Sequence, residues 1–400
     1  MTQDISKFLS KNLFQLFDHS NIFYILFIFV PIAIILNVFF SVNHTILFAI
    51  SILALIPLAK LVGDTTEHLA EHYGNTGGSL INVSFSNTPE IILSIVAIQA
   101  GLFDLVRANI VGSILGQLLL VFGLSLIVGG LKFREQNFNR KHVIFHLTSL
   151  LVSVSILSIP LILVFGDSIF TNANIENQLN STSSMVTTLT NSFAFLLISI
   201  YVLGLFFTFK THKHIFSFPS ESTVSTENAS LNRDKEGAKI KESSDFRLWS
   251  KKKSISILAI SMIGITMISE ILVGSVEETI THLDLGILFV GAIVIGIAGN
   301  VPEKVTSMMM ARRGKLDLSI GIVASSASQI ALFVLPVIII ASMIMGISFP
   351  LIFTPIELIS IFISIVLLYF ITHGERSNWF QGVILVGFFI AIALGFYFVK

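Results

Sequence analysis

Apolar residues run through this chain in blocks of about 20, the length a helix needs to cross the hydrocarbon core of a bilayer, and short polar breaks separate them. The blocks are apolar all round, so as helices they need lipid or other helices as their surroundings. Eleven spans follow from the pattern, at roughly 21–41, 45–72, 78–100, 104–130, 142–165, 183–208, 252–280, 284–312, 316–345, 350–372 and 379–399. The predicted fold class is all-α integral membrane. Between the sixth and seventh spans lies the one long polar stretch, Lys210 to Lys253, rich in Ser, Thr, Glu and Lys. It carries too little apolar surface for a core and is expected to be a solvated linker.

The two halves of the chain repeat. Ser86-Asn87-Thr88-Pro89-Glu90 matches Gly299-Asn300-Val301-Pro302-Glu303. Downstream, the segment from Val111 to Gln117 matches Val323 to Gln329. Upstream, Thr66-Glu67-His68-Leu69 matches Ser269-Glu270-Ile271-Leu272. The order is the same in both halves, and each repeat then holds five helices. An odd number forces the two to sit in the membrane with opposite orientation, the inverted-repeat plan of many secondary transporters. The expected layout is an N-terminal segment with one leading helix (1–43), a first five-helix repeat (44–209), a linker (210–251) and a second repeat (252–400).

Composition agrees: 54% of residues are hydrophobic and only 12% charged, about half the charged share of a soluble domain. Without cysteine there is no disulfide or thiolate chemistry. The net charge is zero, but its distribution is uneven. With the N-terminus inside, all of the 24 basic residues except Lys60, Arg107, Lys304 and Lys400 fall on the cytoplasmic side, as the positive-inside rule requires. The C-terminus is then outside. The start of the chain, with Lys7 and Lys11 among Phe and Leu, reads as an amphipathic lead-in without a signal-peptide cleavage site.

The chemistry concentrates in the two Asn-x-Pro-Glu segments. Proline has no N–H and clashes with the carbonyl a turn earlier, so each span is expected to bend or break at Pro89 and Pro302. Gly77, Gly78, Gly296 and Gly299 are expected to add slack nearby. A helix broken at membrane depth frees carbonyls, which is tolerable only facing a protein-lined cavity or an ion. Asn87 and Asn300 add amide oxygens and Glu90 and Glu303 add charge, a hard oxygen set suited to Ca²⁺ and similar cations. An ionised Glu inside the bilayer costs at least a few kcal/mol. The pair therefore has two comfortable states: both protonated, or both ionised around a divalent cation. Such a site reorients loaded with either ion but rarely empty, which predicts proton-coupled antiport. The competing reading, two kinks with satisfied polar side chains, has to explain matching Asn-x-Pro-Glu segments in both halves by chance.

Gln117 and Gln329 lie on the next span of each half, with Ser113 and Ser325 one turn earlier on the same face. Two readings stand: they bond to the carboxylates or line the cavity, or they pack and hydrogen-bond between helices.

These motifs resemble the calcium/proton exchanger branch of the calcium/cation antiporter superfamily. Its second signature is continued here by Lys315-Leu316-Asp317-Leu318, by Ala324 to Leu332, and by Ser377-Asn378-Trp379. The resemblance runs from about Leu58 to Phe396 and implies a leading helix followed by two inverted five-helix repeats. It also implies gating or ion-entry roles for Glu67 and Glu270 on sliding outer helices. Three departures stand out. Lys304 replaces the usual His after the second glutamate, Ser86 replaces a Gly, and the linker mixes basic with acidic residues where an acidic one is usual. If Lys304 pairs with Glu303, the site holds one net negative charge and cation affinity falls. If it points away, both carboxylates remain.

Two further features need weighing. His68-Leu69-Ala70-Glu71-His72 spells H-x-x-E-H, a zinc-protease pattern, but at the end of a membrane span and without an evident third ligand. Glu357, inside a span after Pro355, is a functional candidate by default. The reading is a non-enzyme: a cation/proton antiporter, Ca²⁺ being the leading ion and Na⁺, K⁺ or Mn²⁺ the alternatives, with a cation channel as the competing class. Its partners are the inorganic cation, protons and the lipid bilayer; nothing points to nucleic acid, a resident cofactor or a particular oligomeric state. Compact loops fit a prokaryotic cytoplasmic membrane.

Overall fold

The computed structural model describes residues 23, 25–40, 42–138, 140–171, 175–211, 249–299, 301–374 and 376–399. In chain order the helices are α1 (Phe29–Phe39), α2 (His44–Glu71), α3 (Gly74–Phe85), α4 (Thr88–Gln99), α5 (Phe103–Lys132), α6 (Arg140–Thr171) and α7 (Ile175–Phe206). There follow α8 (Lys251–Leu283), α9 (Ile287–Gly299), α10 (Val301–Arg312), α11 (Leu316–Ile344), α12 (Pro355–Thr372) and α13 (Trp379–Phe398). Among the described residues eight helices are long and apolar enough to cross a membrane, nine if α9 and α10 count as one span bent by 64°. The expected spans at 21–41 and 78–100 appear as the shorter apolar helix α1 and the interrupted pair α3–α4. The lead-in to residue 22 and most of the expected linker, 212–248, lie outside the described residues, as does Asn300.

The first interruption falls just upstream of its proline, not at it, while the second is a bend between Gly299 and Glu303. Ser86 and Asn87 separate α3 from α4, and Pro89 sits in the first turn of α4. There its missing N–H is one of the groups a helix start leaves unbonded anyway, and its fixed φ suits the first turn. Pro89 thus stands in the first turn of a new helix, just after the break. The nearby glycines also do something other than add slack. A Cβ at Gly78 would sit 2.5 Å from the Ala70 carbonyl oxygen, and one at Gly296 would sit 2.9 Å from the Gly112 backbone. A Cβ at Gly112 would overlap the Ala292 backbone, and one at Gly291 would sit 2.5 Å from the Ala108 Cβ. Helices α5 and α9 therefore cross backbone to backbone through a stripe of small residues, the packing that dispersion favours in lipid.

Buried apolar residues form two clusters. The larger draws on α4 to α13. The smaller joins Ala33 of α1, Leu47, Leu55, Leu58, Val62 and Leu69 of α2, and Leu258, Ile265, Ile268 and Ile271 of α8. Only one end of the α2–α8 pair enters the larger cluster, through Phe48 and through Leu272, Val273 and Val276. At the other end, His68 stacks on Trp249 with ring centroids 4.4 Å apart, and His72 Nε2 meets the Trp249 carbonyl at 2.8 Å. The histidines of the H-x-x-E-H segment thus clasp the start of α8.

Loop contacts fall into two sets. In one, a short antiparallel pairing joins Gln136 to Ser377 and Asn137 to Arg376, Gln136 donates to the Ala311 carbonyl at 3.1 Å, and Arg140 meets His373 at 2.8 Å. In the other, His44 pairs with Glu278 at 3.0 Å and Thr187 meets Ser348 at 3.1 Å.

Glu357 is explained within the fold. Its carboxylate accepts from the Thr354 N–H at 2.6 Å and the Thr354 hydroxyl at 2.9 Å, closing a capping box at the start of α12. Glutamine keeps an acceptor of the same shape. Transport by Glu357→Gln is expected to stay within about twofold of wild type, a cost of a few tenths of a kcal/mol at a cap. A loss as deep as that of a transport-site carboxylate, read in vesicle uptake, would refute the capping role.

Candidate functional site

The two helix breaks bring the Asn-x-Pro-Glu segments together. Glu90 lies in the first turn of α4 and is 1% exposed. Its carboxylate abuts the end of α9: a Cβ at Gly299 would sit 2.6 Å from Glu90 Oε1. Neither carboxylate oxygen has a hydrogen-bond partner among the described residues. Buried polar atoms are nearly always partnered, so this carboxylate is fitted to receive a proton or a cation.

Glu303, in the first turn of α10, is better supported. Its Oε2 accepts from the Ser326 hydroxyl at 2.8 Å. Ser326 in turn accepts from Gln117 Nε2 at 3.0 Å, while the Gln117 Oε1 stays buried and unpartnered. Asn87, fully buried, donates from Nδ2 to Gln329 Oε1 at 3.3 Å. Each half of the chain therefore steadies the other half's motif. Gln117 reaches across to the Ser326–Glu303 pair, and Gln329 reaches back to Asn87. Both glutamines stand at widened π-turns, Gly116–Val121 in α5 and Ile330–Val334 in α11, the kind of helix irregularity that marks functional sites.

A cavity of about 310 Å³ leads to Glu303. Asp64 and Glu67 of α2 line it, with Ser86, Ser325, Ser326 and Gln329. Glu90 is not among its lining residues. Glu67 thus stands on a path to the site, whereas Glu270 is exposed on α8 and does not border this cavity. Ser325 bonds within its own helix, to the Ile322 carbonyl at 3.0 Å, and Ser113 is buried with its hydroxyl unpartnered. Ser326, not the neighbouring serine singled out from sequence, is the one that touches a carboxylate. A single helical position separates them, and one sequence without a register cannot choose.

Lys304 is buried, 5% exposed, and turns away from a side-chain pairing with Glu303. Its Nζ donates to the carbonyls of Gly296 at 3.0 Å and Ile297 at 2.5 Å, two of the groups that the end of α9 leaves without intrahelical partners. Its charge still acts on both carboxylates.

Sequence reasoning missed a second polar chain. His142 and His146, four apart on α6, meet edge to face at 4.9 Å, and His146 Nδ1 lies 2.9 Å from the hydroxyl of Ser328, next to Gln329. The signal was present as a His-x-x-x-His step inside an apolar span, which places both rings on one helix face.

The likeness to known proteins matches this geometry. The model of a family described as sodium/calcium exchanger protein matches residues 43–210 and 253–398. The Ca²⁺/H⁺ antiporter of Aphanothece halophytica is 33% identical over 382 residues, covering 95% of this chain and 97% of that protein. The Ca²⁺/H⁺ antiporter ChaA of Bacillus subtilis is 33% identical over 376 residues, 93% of this chain and 99% of that one. Among solved structures, native YfkE superposes with a TM-score of 0.72 at 29% identity, covering 94% of this chain and all of that one. The H⁺/Ca²⁺ exchanger CAX gives a TM-score of 0.66 at 15% identity over 93% of this chain and 87% of that one, a likeness of fold alone.

Proposed function

This chain belongs to the sodium/calcium exchanger protein family, and we propose that within it the chain is a Ca²⁺/H⁺ antiporter working by alternating access at Glu90 and Glu303. One observation carries the reading: the buried, unpartnered Glu90 carboxylate lies against Gly299, four residues before Glu303. Two carboxylates from two helix breaks thus share one polar site. That site is comfortable protonated or holding a divalent cation, and costly when empty and charged. Asn87 and Asn300 are proposed as further ligands, with Gln117, Gln329, Ser113 and Ser325 supporting them. The relatives that share nearly the whole length are Ca²⁺/H⁺ antiporters, which supports the ion pair.

The proposed architecture is eleven spans, one leading helix and two inverted five-helix repeats. In its support, the element order recurs: a long helix, an interrupted pair with Glu after the interruption, then a helix widened beside a Gln. The N-terminus is proposed to be cytoplasmic and the C-terminus outside, in a prokaryotic cytoplasmic membrane. The loop contacts support that orientation. The set joining 136–140 to 311 and 373–377 includes Arg140 and Arg376 and adjoins Lys132, Arg134, Arg312 and Arg313, whereas the His44–Glu278 set has no Lys or Arg within five residues. Glu67 then lies at the cytoplasmic mouth, with Glu270 as its counterpart in the other half.

Purified protein in vesicles with an acidic lumen should take up Ca²⁺ while lumenal protons leave. Uptake that follows the membrane potential without moving protons would mean a channel. No Ca²⁺ movement at all would reassign the ion, and Na⁺, K⁺ and Mn²⁺ would be screened in the same vesicles.

A further inference from the structure

Among the described residues Lys304 is the one basic side chain at the meeting point of the two glutamate segments, and its place is unusual. The Nζ sits on the carbonyls of Gly296 and Ile297, at the negative end of α9. Those carbonyls are freed by the break before α10, and oxygens freed in this way are what a hard cation would use. The Glu90 carboxylate packs against Gly299 at this same helix end, and no side chain hydrogen-bonds to it among the described residues. Glu303, by contrast, accepts from Ser326 and faces the cavity. The corresponding position in the first half, after Glu90, is Ile91, so the two half-sites differ by one full charge.

We propose that the Lys304 ammonium is a tethered resident cation that sets the affinity of the site. It occupies the two α9 carbonyls, balances Glu90, and leaves Glu303 as the carboxylate that meets an ion arriving through the cavity. The inference rests on the antiport reading for the identity of the ion, but not for the effect of the charge. Removing that charge restores one unit of negative field and frees the carbonyls, so Ca²⁺ binds more tightly and leaves more slowly.

The test is radioactive Ca²⁺ binding to detergent-solubilised protein, paired with proton-driven uptake in vesicles, for wild type, Lys304→Gln and Lys304→Met. Gln keeps a donor for the carbonyls and drops the charge; Met drops both, and stands in if the Gln chain does not fold. Both variants are expected to bind Ca²⁺ about tenfold more tightly, the scale of one screened charge at several ångströms, and to turn over more slowly at saturating Ca²⁺. Unchanged or weaker binding in the folded variants would overturn the proposal, even with wild-type uptake intact. Tighter binding in the variants with no proton-coupled uptake in wild type would sink the antiport reading and leave the resident cation standing.

Discussion

Glu303→Gln is expected to reduce proton-driven Ca²⁺ uptake by about 100-fold or more, and Glu90→Gln to do the same. Each change removes one unit of negative charge from the proposed site of a divalent ion. Breaking a buried charge pairing costs ~3 kcal/mol or more, and every 1.4 kcal/mol is tenfold in affinity. The two variants should nevertheless differ in stability. Glu303 accepts from Ser326, and glutamine keeps only part of the carboxylate's acceptor capacity. Glu90 has no hydrogen-bond partner to lose, so Glu90→Gln is expected to lower the thermal midpoint less than Glu303→Gln, and only through the Lys304 charge it leaves unbalanced. The measurement is uptake together with thermal unfolding in detergent. Near-normal transport by either variant would remove that glutamate from the site.

Gly112→Ala should be as damaging without touching a charge. The added methyl would enter the backbone of Ala292, where α5 and α9 cross. The obstacle is main chain, not a side chain that can rotate away, so the cost should reach or exceed the usual overpacking penalty of ~3 kcal/mol. Because α9 ends at Gly299 beside Glu90, separating the two helices also pulls the halves of the site apart. Gly116→Ala, one turn on, is the control: nothing lies within 4 Å of its added Cβ. The expected result is a midpoint lowered by about 5 °C or more with lost uptake for Gly112→Ala, and wild-type behaviour for Gly116→Ala. Equal behaviour of the two would mean that the close crossing is not what holds the site.

The sequence made much of this site readable, and the reasons are physical. Asn87, Glu90 and Glu303 stand out because polar and charged residues are costly in an apolar span. The interruptions were visible through Pro89 and Pro302. Which role Pro89 takes was not readable, because Pro suits a helix start as well as it spoils a helix middle, and only the preceding Ser86–Asn87 turn decides. The π-turns beside Gln117 and Gln329 left no trace, since any residue type tolerates a widened turn. Glu357 was legible after all: Thr354-Pro355-Ile356-Glu357 is a capping-box pattern, overlooked because an acid inside a span draws attention to function first. The direction of Lys304 was not legible, because it depends on carbonyls seven and eight residues back that exist as acceptors only once α9 has ended.

The two apolar clusters give the protein a mechanical character. The α2–α8 pair is rooted in the larger cluster at the Phe48 end and is held by its own smaller cluster over most of its remaining length. It resembles a rod set in a socket. From Phe48 to Glu67 the rod is about 28 Å long at 1.5 Å per residue, so a swing of roughly 5° would carry the Glu67 end by about 2.5 Å. That is the scale of a bare metal ion. Under the proposed alternating access, leverage of this kind would let a small rotation at one membrane face open or shut a passage at the other while both packed interiors stay intact.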